Sequence, residues 1–399
     1  MTYRHFEKGD FMKKQLVVAL GLTVLATPAF ATKARLQALG EDTYGSFYVN
    51  DNRNIWLNAA QINNHKDLVT FEWGDTTSPV DVNAAAPRAE GGVYKTMGNL
   101  VWGLHLGGAS NTANGLRAAS GLAITEVQEE NVVDVFVGGD AGLKWGANVG
   151  YSSSSKGGPT GDAEQESLRT RLGVIAGDIE GYANINIMNS AEDTAGNKFE
   201  GKLGYQVGAI YSLNDYRIFA DYRSFDAEGD TTIGNKEDIG LSQLQVGAGR
   251  ATRLNDKATL FTKAQFVMAN AENDRAVLAG AAGSFQGACS AATAAACEEY
   301  ETMQVPVVIG LEYDAATWLV LRASVGQVVW GTEEDATNKR TVQDSTLVNA
   351  GATLKFGELS LDGVIGNSNA TGAVAGTSTT AGTLRTDVLM SRVGMTYRF

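Results

Sequence analysis

Proline is nearly missing from this chain, with five among 399 residues. Histidine occurs three times and cysteine twice. Few prolines leave backbone N–H groups free for long hydrogen-bonded ladders, which favours sheet. Beyond residue 31 only His65 and His105 remain, both far in sequence from Cys289 and Cys297. That scatter matches no metal-ligand spacing. There is no Gly-x-Ser-x-Gly nucleophile elbow. The expectation is a protein that is not an enzyme and holds no metal and no cofactor. Positive charge is also short: 32 Lys and Arg face 45 Asp and Glu, for a net charge of −13. Phosphate binding needs a basic face, so nucleic acid is not an expected partner. Long apolar runs are missing too. After residue 31 none reaches the roughly 18 residues of a membrane-spanning helix.

What is present begins with a leader. Met12, Lys13 and Lys14 open a basic stretch, Gln15 to Leu25 is mostly apolar, and Pro28-Ala29-Phe30-Ala31 ends it. A basic start, a short apolar core and a small-x-small end mark a secretory signal peptide. We expect residues 1–31 to be the leader, with synthesis starting at Met12 and cleavage after Ala31. Its net charge is +2, and subtracting that from −13 leaves −15 for the remaining 368 residues.

From residue 142 onward the chain is a series of period-2 segments. Alternate side chains of a strand face opposite sides. In Asp215 to Phe225, Tyr216, Ile218, Ala220 and Tyr222 oppose Arg217, Asp221 and Arg223. In Asp178 to Met188, Ile179, Ala183, Ile185 and Ile187 oppose Glu180, Asn184 and Asn186. In Phe199 to Ser212, Leu203, Tyr205, Val207, Ala209 and Tyr211 oppose Glu200, Lys202 and Gln206. Further segments fall near 142–153, 167–176, 238–252, 257–270, 301–313, 316–329, 345–356, 358–367 and 386–399. Ordinary strands average about 5–6 residues, whereas tilted membrane strands need about 9–11. Tight turns are expected at Gly177-Asp178, Leu213 to Asp215, Leu254 to Asp256, Asp314 to Ala316 and Gly357-Glu358. Longer loops are expected near 154–166, 189–198, 226–237, 271–300, 331–344 and 368–385. Short turns at one rim and long loops at the other are the pattern of a bacterial outer-membrane barrel. Lipid cannot satisfy backbone amides, so a spanning sheet must close on itself.

The expected fold is therefore all-β: a transmembrane antiparallel up-and-down β-barrel over residues 66–399. Leu68 to Trp73, Val93 to Met97, Asn99 to Leu106 and Val132 to Val137 complete the set. The count is sixteen strands, with fourteen as the alternative. The chain ends Val393-Gly394-Met395-Thr396-Tyr397-Arg398-Phe399. Tyr397 and the terminal Phe399 look like the assembly signal read by the barrel-insertion machinery. Outer-membrane lipid and lipopolysaccharide are the other expected partners.

Inward faces decide what passes. Arg or Lys facing lipid at mid-depth costs about 2–4 kcal/mol, so charged residues on strands should face the lumen. The expected pore lining is Lys144, Arg169, Arg171, Glu180, Lys202, Arg217, Asp221, Arg223, Lys263, Glu312, Arg322, Lys355 and Arg392; Arg250 is also placed inside. Basic groups outnumber acidic ones there, which favours anions. No inward apolar cluster stands out, although Phe219, Phe225, Phe261 and Val267 line part of one. Cys289 and Cys297 share the loop 271–300, and an exported chain meets oxidant, so a disulfide is expected between them.

The stretch from Ala38 to Leu106 resembles the opening of the FadL/PorV group of outer-membrane barrels. That group carries an Asn-Pro-Ala motif before its first strand; here Asn58-Ala59-Ala60 follows Asp51 to Leu57, with Ala59 in place of Pro. The resemblance implies that residues 32–65 pack at the periplasmic mouth or plug the lumen. The residues themselves equally allow a simple periplasmic tail. Three functions are open to this sequence. A water-filled barrel of this size is a porin for small hydrophilic solutes, with the trimer common among general porins. The alternatives are a FadL-like transporter of hydrophobic compounds and a structural or adhesive barrel working through its outer loops.

Overall fold

The computed structural model describes residues 32–74, 89–110, 116–117, 128–129, 131–158, 161–230, 236–273, 299–335, 339–341, 346–367 and 392–399. The leader, Cys289 and Cys297 lie outside the described residues. The strand segments are β1 (Leu68–Gly74), β2 (Glu90–Met97), β3 (Leu100–Leu106), β4 (Val133–Asp140), β5 (Lys144–Gly158) and β6 (Gly161–Ala176). They continue as β7 (Ile179–Glu192), β8 (Lys198–Gly201), β9 (Gly204–Leu213), β10 (Tyr216–Asp230), β11 (Lys236–Arg253) and β12 (Ala258–Asn273). The last are β13 (Glu299–Ala316), β14 (Leu319–Asp335), β15 (Lys339–Thr341), β16 (Leu347–Phe356), β17 (Leu359–Asn367) and β18 (Arg392–Arg398).

β8 and β9 both pair with β7 and with β10, so they are two lengths of one strand. β15 and β16 both pair with β14 and form another. The 18 segments thus make 16 antiparallel strands, as the alternation implied. β1 pairs with β18 from Leu68↔Arg398 to Gly74↔Arg392, which closes the barrel. No sheet edge is left to satisfy. The outer face is apolar: Phe71, Leu104, Val149, Leu172, Val246 and Val325 are exposed there. Exposed aromatics such as Trp102, Tyr211, Tyr216, Trp318, Phe356 and Tyr397 gather toward the tight-turn rim. A closed barrel with this exterior is built for the bacterial outer membrane, and the chain is such a barrel.

Several expected boundaries move. Residues 154–158 and 161–166 are not loop; Ser154 pairs with Gln165 and Lys156 with Ala163 in an extended hairpin. Residues 226–230 and 236–237 likewise continue β10 and β11. There the outer face carries polar residues such as Glu164, Asp226, Glu228 and Asp230, so the apolar alternation stops while the ladder goes on. β13 runs to Ala316 through an irregularity after Asp314 and turns at Thr317-Trp318, later than expected.

Residues 32–66 lie inside the barrel. Thr32 caps a short helix, α1 (Lys33–Ala38), by accepting from the Arg35 N–H. Asp51 and Asn58 cap two 3-10 turns, Asn52–Trp56 and Ala59–Asn63, in the same way. Such caps satisfy N–H groups that a helix start leaves open. α1 rests on β14 and β16 to β18; the second turn rests on β3 to β6. The wall makes room with glycine. A Cβ at Gly146 or Gly173 would overlap Asn58 to Ala60, one at Gly249 the Tyr48 ring, and one at Gly394 the Thr32 side chain.

Candidate functional site

The inner segment is held by charges on both sides. Arg53 bonds to Glu90 (2.5 Å) and Glu72 (3.4 Å), and Lys33 to Glu90 (2.8 Å). Glu72 and Glu90 face each other across β1 and β2. On the other flank Arg35 pairs with Asp51 (2.9 Å) and with Glu312 of β13 (3.1 Å). Arg322 of β14 bridges Glu312 (2.6 Å) and Asp362 (3.2 Å). Lys263 of β12 reaches Glu41 (2.7 Å). Glu180 of β7 accepts from Gln61 (2.7 Å), Asn58 (3.3 Å) and Arg217. Most of these groups are buried; Lys33, Arg217, Lys263 and Glu312 are partly exposed. Buried pairs repay their desolvation only with good geometry, and removing one partner costs several kcal/mol.

Apolar contacts add to this seat. Ile55, Trp56 and Ile62 pack with Leu68, Tyr94, Val101 and Phe136 of the wall. The Trp56 ring stands edge-on to His105 and Phe136, and Arg53 and Arg171 lie over it at 5.1 and 5.0 Å. Leu36, Leu39, Tyr48 and Val49 pack with Phe261, and Phe47 stacks on Phe219 at 4.2 Å.

The described residues of the connection after β3 also face inward. Tyr44 of the inner segment donates to the Ala109 carbonyl (2.8 Å). Glu129 accepts from the Ser110 N–H (2.5 Å), from Ser167 (2.8 Å) and from Arg169 (3.1 Å). Arg169 and Arg171 also pair with Asp134 of β4. Arg117 donates to Asn189 (2.7 Å) and Gln165 (3.0 Å), inward side chains of β7 and β6. Beside it lies an apolar patch toward the long-loop rim: Leu116 with Ala191, Phe199, Ala227, Ile239, Leu241 and Ala269. Phe225 and Ala271 flank it. Below the patch, Asp221 accepts from Tyr182 (2.6 Å) and Gln206 (2.8 Å).

Burial sets the protonation of the groups off the strands. It raises Asp51 to about 6, against the opposing charge of Arg35. It lowers His65 to about 3 and Arg117 to about 10. Glu129 is pushed up by burial but pulled down further by Arg169 and Arg117, so it stays below the usual carboxylate value.

The expected lining residues separate into three groups. Arg169, Arg171, Glu180, Asp221, Arg223 and Arg322 face inward and are buried against partners. Lys263 and Glu312 bond the inner segment, Arg392 bonds Gln37, and Arg217 bonds Glu180. Lys144 and Lys355 face inward at the tight-turn rim, beside Asn64 and Asp314. Lys202 is a correction. The chain changes phase between Gly201 and Gly204, so Lys202 leaves the lumen and bonds Glu228 and Asp238 on the outer surface. Arg250 also lies outside, with Asp215 and Tyr216. Asp134, Glu72, Glu90 and Glu129 were not expected inside. They offset the basic excess from which an anion preference was inferred. The inward apolar patch is a second correction. Ala191 and Ala227 fall in stretches that read as loop, whereas Phe199, Ile239, Leu241 and Ala269 fall in segments that read as strand, at positions not placed in the lumen. Tyr397 and Phe399 are exposed on the outer face, 6.5 Å apart, with the Phe399 N–H donating to Asp67.

No family model and no curated protein matches the chain. Among solved structures it is similar to the toluene transporter TbuX of Ralstonia pickettii, at 15% identity over 94% of this chain and 100% of that one, with a TM-score of 0.36. It is also similar to the CymD monoaromatic hydrocarbon channel, at 9% identity over 94% and 98%, with a TM-score of 0.36. OmpT, an outer membrane protein of Vibrio cholerae, matches at 13% identity over 83% and 95%, with a TM-score of 0.35.

Proposed function

We propose that this barrel is an occluded channel carrying small hydrophobic compounds across the outer membrane, the FadL-like alternative rather than an open general porin. One observation carries the reading. In an open pore of 16–18 strands the polar wall is wet, yet here Asp134, Arg169, Asp221, Arg322 and Asp362 are buried inside a lumen that also holds residues 32–66, 107–110, 116–117 and 128–129. The apolar patch around Phe199 and Leu241 offers a hydrophobic solute a surface that a water-filled pore does not need. Residues 32–66 act as the barrier, and their ion pairs set how firmly it stays.

The test is reconstitution. In planar bilayers the protein should show little conductance, and liposomes holding it should exclude sugars while admitting toluene faster than empty ones. Deleting residues 32–66 should raise conductance to the scale of open porins. Sugar entry at porin rates through the intact protein would defeat the proposal.

A further inference from the structure

Thr32 has no exposed surface, although the sequence places it first after the leader. Its side chain fills the space over Gly394 of β18, where a Cβ would collide with it. Gly394 is the direct partner of Glu72 on one side and of Asp362 on the other. Adjacent strands lie about 4.8 Å apart, so Thr32 sits between two buried carboxylates. The Lys33 N–H donates to Glu72 at 2.8 Å. One extended residue separates successive nitrogens by roughly 3.7 Å, which keeps the Thr32 nitrogen close to the same carboxylate.

Among the described residues the charges around this seat do not balance. Lys33 and Arg53 meet Glu72 and Glu90, two against two. Across the seat Arg35 and Arg322 meet Asp51, Glu312 and Asp362, two against three. Arg392, the next inward cation on β18, bonds Gln37. Asp362 uses one oxygen for Arg322 and Thr353; the other is buried with no hydrogen-bond partner among the described residues. A buried carboxylate oxygen without a donor carries a desolvation cost that a cation would remove.

We infer that cleavage between Ala31 and Thr32 leaves the Thr32 α-ammonium as a buried luminal cation, seated over Gly394 between Glu72 and Asp362. This rests on the leader assignment. In the step, water adds hydroxyl to the Ala31 carbonyl carbon, the C–N bond breaks, and the Thr32 nitrogen gains protons to become the ammonium. The hydrolase is an export-processing peptidase. The new charge makes the second cluster three against three, so maturation supplies the last ion of the lock that holds the inner segment.

The test uses protein extracted from outer membranes in mild detergent. Its intact mass should start at Thr32. An α-amine is ordinarily half-protonated near pH 8, well below lysine, so acylation near neutral pH reports on it. In the folded barrel we expect acylation at least tenfold slower than in the unfolded chain, and Asp362→Asn should remove several-fold of that protection. A mass starting elsewhere would refute the cleavage. The correct mass with equal labelling of folded and unfolded chains would refute burial. Unchanged protection in D362N would refute the pairing. If D362N does not assemble, Gly394→Ala replaces it: the added methyl should evict Thr32 and expose the amine, and continued protection would refute the seat.

Discussion

The two ends of the lumen solve burial differently. Toward the tight turns, residues 32–66 are fixed by Arg35, Arg53 and Lys33 against wall carboxylates, with glycines cut into the wall to fit. Toward the long-loop rim the wall presents Phe199, Ile239 and Leu241, with Leu116 as their cover from the connection after β3. Charge pairing is directional and specifies one position; apolar burial is not and tolerates exchange of occupants. The first region is therefore suited to holding a barrier and the second to receiving a guest.

Removing one ion of the lower region should have the largest effect. Arg53→Met leaves Glu72 and Glu90 without their shared cation, and loss of one partner of a buried pair costs about 3–5 kcal/mol. The heat-modifiable band on gels should vanish at clearly lower temperature; an unchanged midpoint would mean the pairs do not hold the segment. Gly173→Val should come next. The side chain displaces Asn58 and Ala60, an overpacking cost of about 1–3 kcal/mol. Residues 32–66 should become open to added protease, with raised conductance. Phe199→Ser in the upper region should slow toluene uptake several-fold while the band midpoint stays nearly constant. Equal losses of uptake and stability would erase the contrast between the two regions.

The effect that is smallest near neutral pH concerns acid. His65 is held neutral, its pKa lowered to about 3 by burial. An unfolded chain binds the proton near pH 6.5, so this histidine's contribution is full above that pH. It falls as pH drops toward 3, by about 1.4 kcal/mol per unit. Asp51 works the other way between about 6 and 3.8, since its folded carboxyl takes the proton first. His65→Gln should flatten the acid side of a stability-against-pH curve; an identical curve would assign the acid sensitivity elsewhere.

The barrel was legible because lipid imposes a one-sided environment on every spanning strand. Alternation in Tyr216 to Arg223 or Val207 to Tyr211 is that environment written in residues. Where the outer face is polar, as at Ser153 and Ser155 or Asp226, Glu228 and Asp230, the ladder continues without a mark in hydropathy. Lys202 was misplaced because a phase change at Lys202-Leu203 leaves no trace in residue type. The ion pairs were illegible for another reason: Arg35 and Glu312 are 277 positions apart, and only closure brings them together. A faint signal did exist. Gly146, Gly173 and Gly249 occupy inward positions where a wet wall would carry polar side chains.

The seam between β1 and β18 has a consequence for the order of events at synthesis and assembly. The strands that meet there are the first and the last, and the final residues Tyr397 to Phe399 complete the join. Residues 32–66 precede the first strand and touch strands from β3 to β18. Those seats lie on opposite sides of the wall, so the full set of contacts exists only once the barrel has closed. Such a topology is rich in distant contacts and closes slowly. The interior contacts and the seam are thus completed together.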